Sequence, residues 1–201
     1  QLEPGQAAQQ GVPECTTLSV PVDYAKPGGR RISLALDMIP ATAPRSQQQG
    51  VLLVNPGGPG GSGLSLAAEV AQGLSPSVAA QYDIVGFDPR GVGSSVPALS
   101  CDRSFFDGPR PNYIPANPAA EQVLINRAKT YAADCGKRFG WLLPHITTQD
   151  TARDMDAIRA AFGVSKINYY AFSYGTYLGQ VYATLFPDRV RRMVLDSVVD
   201  P

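Results

Sequence analysis

Apolar and polar positions change rhythm several times along this chain. Residues 16–22 and 31–39 alternate, as in Thr16-Thr17-Leu18-Ser19-Val20 and Ile32-Ser33-Leu34-Ala35-Leu36-Asp37-Met38-Ile39. A period of two predicts strands with one buried face, and Lys26-Pro27-Gly28-Gly29 supplies the turn that makes them an antiparallel pair. Val51-Leu52-Leu53-Val54 and Tyr82-Asp83-Ile84-Val85-Gly86-Phe87 are instead short apolar runs, the pattern of strands buried on both faces. Residues 166–171 and 191–196 predict two further strands.

Helical spacing occupies 64–73, 121–139, 148–162 and 174–186. In the third of these Ala152, Met155, Ile158, Ala161 and Phe162 share one face, with Thr148 placed to cap the start and Gly163 to stop the end. Residues 97–120 hold many prolines and no period, so they read as an excursion from the core. Residues 1–14 read as a flexible N-terminal segment, which leaves 15–201 as part of one core domain. The order is a strand pair followed by alternating strands and helices. It predicts an α/β fold with a mostly parallel sheet and an antiparallel N-terminal edge.

Charge removes some functions. The 17 Lys and Arg residues are balanced by 17 Asp and Glu, so there is no basic excess to hold nucleic acid or an anionic membrane surface. No apolar run reaches the ~18 residues of a membrane-spanning helix. The sequence calls for no metal and no cofactor. Three cysteines are present. Cys101 and Cys135 flank one polar, proline-rich excursion, and a disulfide between them is expected, which implies an oxidising compartment. Cys15 is left over. It is either a buried thiol or half of a bond to a partner outside this chain.

Sites in open α/β sheets collect past the carboxyl ends of the strands. Three loops qualify here: 55–63, 88–95 and 172–176. In the last, Ala171-Phe172-Ser173-Tyr174-Gly175 joins a strand to a helix with almost no connection. A sharp turn there lifts the serine hydroxyl above the sheet, at a helix N-terminus whose free N–H groups favour negative charge. Small residues two before and two after the serine let the corner close, as in the Gly-x-Ser-x-Gly nucleophile elbow; Ala171 departs from the usual first glycine. A serine that merely caps a helix is the competing reading.

Asn55-Pro56-Gly57-Gly58-Pro59-Gly60-Gly61-Ser62-Gly63 lets backbone approach a ligand closely and could offer an N–H to an oxyanion. It also fits Gly-x-Gly-x-x-Gly after a strand, with Asp88 at the end of the next, which is the outline of a dinucleotide site. Pro59 and the crowding of small residues favour an irregular loop. Asp88-Pro89-Arg90-Gly91 reads as a structural turn whose charges pair locally, anchored by Arg90. Arg189, Arg191 and Arg192 read as a solvated helix end and strand start.

A serine nucleophile needs a base, and α/β-hydrolases place acid and then histidine after the serine. The single histidine, His145, precedes Ser173 and reads as structural. Asp188, Asp196 and Asp200 follow Ser173, but no histidine does. The expectation is therefore a further C-terminal segment, or a second chain of the same protein, that carries the catalytic Asp and His. A non-catalytic binding protein on this fold is the alternative.

Together, Val-Asn-Pro-Gly-Gly-Pro-Gly-Gly-Ser-Gly at 54–63, Tyr-Asp-Ile-Val-Gly-Phe-Asp-Pro-Arg-Gly-Val-Gly at 82–93 and Phe-Ser-Tyr-Gly-Thr-Tyr-Leu-Gly at 172–179 resemble the secreted tripeptidyl aminopeptidases of actinobacteria, relatives of proline iminopeptidases. The likeness extends through Thr-Thr-Gln-Asp-Thr-Ala-Arg-Asp at 147–154 and Val-Leu-Asp-Ser-Val-Val-Asp-Pro at 194–201. It implies an α/β-hydrolase fold, Ser173 as nucleophile, and backbone N–H groups of Gly58 and Tyr174 as the oxyanion hole. It also implies a helical cap after the last strand, with the catalytic Asp and His later still. Export, disulfides and a distant partner for Cys15 follow from the same resemblance, so the expected location is secreted or at the cell envelope. The implied substrate is a peptide with a free N-terminus. Esterases and enzymes that tailor natural products also occur among the relatives, so another acyl substrate stays open.

Overall fold

A computed structural model describes residues 13–107, 109 and 111–200. The expected flexible segment at 1–14 lies outside these residues except for its last two positions. Among the described residues one six-stranded sheet forms, from β1 (Glu14–Pro21), β2 (Arg31–Ile39), β3 (Gly50–Asn55), β4 (Tyr82–Phe87), β5 (Ile167–Phe172) and β6 (Val190–Asp196). Their spatial order is β1-β2-β4-β3-β5-β6. β2 runs antiparallel to both β1 and β4, and the remaining neighbours are parallel. The expected parallel sheet with an antiparallel N-terminal edge is what forms.

Among the described residues the α-helices are α1 (Leu66–Gly73), α2 (Pro76–Ala79), α3 (Pro118–Phe139), α4 (Thr148–Ala161) and α5 (Tyr174–Leu185). Ala67 and Val70 of α1 pack with Leu52, Val54 and Ile84, and Tyr170 lies against the same cluster. The neighbouring Tyr169 sends its ring the other way, onto Gly179 of α5. Successive strand residues point to opposite faces, so α1 and α5 cover opposite sides of the sheet. β3, buried from Val51 to Asn55, lies between them. Its continuous apolar run is the consequence of having protein on both faces.

Local chemistry moves two boundaries away from the sequence expectation and adds one short helix. α3 starts at Pro118, because the Asn117 side chain accepts from Ala120 N–H at 2.9 Å and proline suits the first helical position. α4 is capped by Thr147, whose hydroxyl accepts from Asp150 N–H at 3.0 Å, and not by Thr148. α2 is a single turn after Ser75, too short for any period to reveal it.

The chain divides into two compact units. One comprises the residues up to Ala98 together with those from Ile146 onward; the other is Leu99–His145. Within the second, Cys101 and Cys135 are joined by a disulfide, as expected. Beside it Phe105 and Tyr131 rings meet at 4.3 Å, and Arg127 lies over Phe105 at 4.5 Å. His145 closes the 3-10 turn Leu143–His145 at the end of this unit. Cys15 is exposed on the edge strand β1, so the buried-thiol reading does not hold.

Arg90 is also not paired locally. Its Nε and one terminal nitrogen grip Asp154 of α4 at 2.7 and 2.6 Å, and both groups are fully buried. The same guanidinium donates to the carbonyls of Val22 and Pro21 at 3.0 and 3.3 Å. Burial opposes the arginine's charge, but the Asp154 hydrogen bond and charge outweigh it and raise its pKa. Tyr24 donates to the other side of the cluster, to Asp154 at 2.7 Å. Its phenol is pushed well up by burial and then by the Asp154 charge, so it stays a donor. Of the arginines expected to be solvated, Arg189 pairs with Asp156 and Arg191 with Gln49, while Arg192 is exposed.

Candidate active site

β3 sits between β4 and β5, so the chain leaves its carboxyl end toward one side and later returns on the other. That arrangement opens a crevice past the strand ends. Asn55 at the end of β3 pairs with Ala171 near the end of β5, which places the loop after β3 beside the corner after β5. Two segments more than a hundred residues apart in sequence therefore share one site.

Ser173 is the corner. Its backbone has φ 50° and ψ −127°, it is exposed, and its hydroxyl caps nothing. The capping reading of this serine thus fails. Positive φ at a residue with a Cβ is strained, costing on the order of 1–3 kcal/mol, and such residues cluster where geometry serves chemistry. The first N–H groups of α5 have no partner inside the helix and point toward the same end. Tyr174 supplies one of them, and its phenol is tied to Thr148 at 2.6 Å. Tyr169, deep beneath, donates to the Gly175 carbonyl at 2.9 Å and fixes the opening turn; burial keeps its phenol protonated.

Close approach explains the small residues. A Cβ on Gly175 would lie 2.7 Å from Asn55 Oδ1 and 3.0 Å from the Ala171 Cβ. The second position of the motif must therefore be glycine, while the first tolerates the methyl of Ala171, which is completely buried. Across the crevice, Gly57 lies directly on the corner. A Cβ there would meet Phe172 O at 2.5 Å and Tyr174 N at 2.9 Å, and its φ is 91°. Asn55 Oδ1 accepts from Gly57 N–H at 2.9 Å and holds this approach. Gly58, the next residue, is exposed with φ 118°. Gly57→Ala is expected to destabilise the protein by about 1–3 kcal/mol in urea unfolding, through both strain and clash. Gly60→Ala, at φ 93° but with open space around it, separates the two: it is expected to cost less, and an equal cost would remove the clash from the account.

The segment after this loop is fastened from below. Asp88, fully buried, accepts from the Ser62 hydroxyl at 2.5 Å, Gly63 N–H at 3.0 Å and Ser94 N–H at 2.6 Å. Asp37 accepts from Ser65 N–H at 2.8 Å. Desolvation raises the Asp37 carboxyl, partly offset by the Ser65 and Gly86 amides. In a dinucleotide site such N–H groups point at a pyrophosphate. Here two buried carboxyl groups take that place, which removes the dinucleotide reading. Among the described residues no cluster of metal-ligating side chains forms.

Sequence reasoning missed three contributors. Asp154 carried a signal, a charge on the same helical face as Met155 and Ile158. Asp88 was placed in a turn with Arg90, although its partners lie in the glycine loop. Thr176 carried no signal beyond its place in the helix.

The fold and the corner define a class, and this chain belongs to it: the α/β-hydrolase family, whose model, described as alpha/beta hydrolase fold, matches residues 50–201. Among individual proteins it is 52% identical over 191 residues to a tripeptidyl aminopeptidase of Streptomyces lividans, covering 94% of this chain and 36% of the relative. It is 44% identical over 191 residues to serine protease Hip1 of Mycobacterium tuberculosis, covering 93% and 36%. It is 46% identical over 195 residues to a carboxylesterase B of Mycobacterium tuberculosis, again covering 93% and 36%. The chain thus spans about a third of the length of these relatives (36%).

Proposed function

We propose that this chain is the nucleophile-bearing part of an exported serine peptidase that removes short peptides from free N-termini. Ser173 Oγ attacks the substrate carbonyl carbon and forms a tetrahedral intermediate. Its proton passes to a histidine supplied, with an aspartate, by the rest of the protein. The leaving amine departs with that proton, and water then hydrolyses the acyl-enzyme at Ser173. Negative charge on the intermediate is met by Tyr174 N–H at the start of α5 and by Gly58 N–H of the glycine loop. The observation that carries this reading is the strained, exposed Ser173 with the Gly57 backbone packed against its corner. The names of the relatives at 52% and 44% identity support a peptide substrate. The disulfide of Cys101 and Cys135 supports an oxidising location, secreted or at the cell envelope.

Reaction of the intact protein with a serine-directed fluorophosphonate is expected to add one adduct, mapped by peptide mass spectrometry to Ser173. An unlabelled protein removes this reading and leaves a non-catalytic protein on the hydrolase fold, and an adduct elsewhere removes Ser173 as the nucleophile. The carboxylesterase among the relatives favours a second reading, an ester substrate at the same serine. Comparing kcat/KM for a tripeptide anilide with that for a short acyl ester decides between them: peptide cleavage requires the anilide to be turned over.

A further inference from the structure

We propose that Thr176 is a positioning residue for Ser173, holding the direction of the nucleophile through a relay that reaches past β6. The inference rests on the reading of Ser173 as nucleophile. Thr176 is fully buried in the first turn of α5. Its hydroxyl donates to the Ser173 carbonyl at 2.6 Å and accepts from Val199 N–H at 2.9 Å. A threonine in a helix often donates to a carbonyl three or four residues back. The bond from Val199 is what sets this one apart, since it fixes the hydroxyl's orientation from outside the helix.

The two peptide groups around Ser173 are then held from different directions. Its N–H donates to the Asp196 carbonyl at 3.1 Å, and its own carbonyl accepts from both Thr176 N–H, at 2.9 Å, and the Thr176 hydroxyl. Turning Ser173 out of its positive-φ conformation breaks one of these bonds. The exit from β6 is fastened in the same way: Gln180 donates to the Val199 carbonyl at 3.0 Å, and Ser197 has φ 58°. Thr176 therefore links the strained corner to residues 196–199, and its hydroxyl sets where Oγ points without touching substrate.

The test uses the intact protein and three substitutions. Thr176→Val keeps the shape and removes the relay, and kcat is expected to fall by about 10–100-fold, the cost of a small misplacement of a reacting group. KM is expected to change less than about twofold, and fluorophosphonate labelling to slow in step with kcat, because the hydroxyl acts on Ser173 and not on binding. Thr176→Ser restores the hydroxyl and is expected to recover most of kcat. Thr176→Ala takes the place of the valine variant should that one not fold. Unchanged kcat in the valine or alanine variant overturns the proposal, as does a serine variant no better than valine. Ser173→Ala tests the underlying reading separately: if it retains turnover, the nucleophile assignment fails, whereas an inactive Ser173→Ala beside a fully active Thr176→Val removes Thr176 alone.

Discussion

Ser173→Ala is expected to lower kcat of the intact protein by about 10⁴–10⁶-fold, the range seen when a nucleophile that acts as one unit with its base is removed. Folding should be nearly untouched. The Ser173 hydroxyl makes no capping hydrogen bond, and alanine carries the same Cβ at the same positive φ. Thermal unfolding of the two proteins is therefore expected to coincide, so the loss is chemical and not structural. Steady-state rates on peptide and ester substrates, measured with the melting curve, check both halves. A variant that keeps a tenth of the wild-type rate would mean that another group attacks the carbonyl. What remains in the true variant should come from the oxyanion donors and from substrate binding, which do not depend on Oγ.

Asp154→Ala is expected to have the largest effect on stability, a loss of about 3–5 kcal/mol. Removing the carboxylate leaves the buried Arg90 guanidinium without its bidentate acceptor, though still donating to the carbonyls of Val22 and Pro21. The buried positive charge then loses the carboxylate that offsets its desolvation. Tyr24 loses its acceptor as well. Urea unfolding should show a lower midpoint with the slope preserved, since the surface exposed on unfolding hardly changes. Replacing both partners, Arg90→Met with Asp154→Leu, is expected to recover much of the loss, because the desolvation cost disappears with the charges. A single-variant loss below about 1 kcal/mol, the range of an exposed pair, would show that the pair is hydrated in solution.

The functional weight of that pair lies in what it joins. Arg90 follows β4, Asp154 sits on α4, and Thr148 at the head of α4 bonds the phenol of Tyr174. The order of α4 thus reaches Tyr174, the residue beside Ser173. Asp88, two residues before Arg90, holds the glycine loop from the opposite side of the crevice. One short turn, Asp88-Pro89-Arg90, consequently fastens both halves of the site.

Much of this molecule was legible in one dimension. The alternation over 31–39 and the apolar runs at 51–54 and 82–87 marked strands with different burial, because side-chain direction in a strand depends only on parity. The corner at 171–175 was readable because a strand running straight into a helix leaves room only for small neighbours, a local steric rule. The disulfide was legible as two cysteines set around one proline-rich excursion. Other features were open to no local rule. Thr147 and not Thr148 caps α4, since the choice depends on which hydroxyl Tyr174 captures. Arg90 pairs across 64 positions of sequence with Asp154. Gly57, and not Gly58, lies on the corner.

By itself the sequence determined the alternation of strands and helices, the sharp serine corner between β5 and α5 and the balance of charge. These depend on neighbours within a few residues, where backbone sterics and periodicity dominate. Tertiary structure alone decided that β3 lies between β4 and β5, that Asp88 and Asp37 face the glycine loop, and that Thr176 joins Ser173 to Val199. Those outcomes depend on which distant polar groups are buried together. A buried donor or acceptor must find a partner wherever the packed chain offers one, and that offer exists only once the sheet has formed.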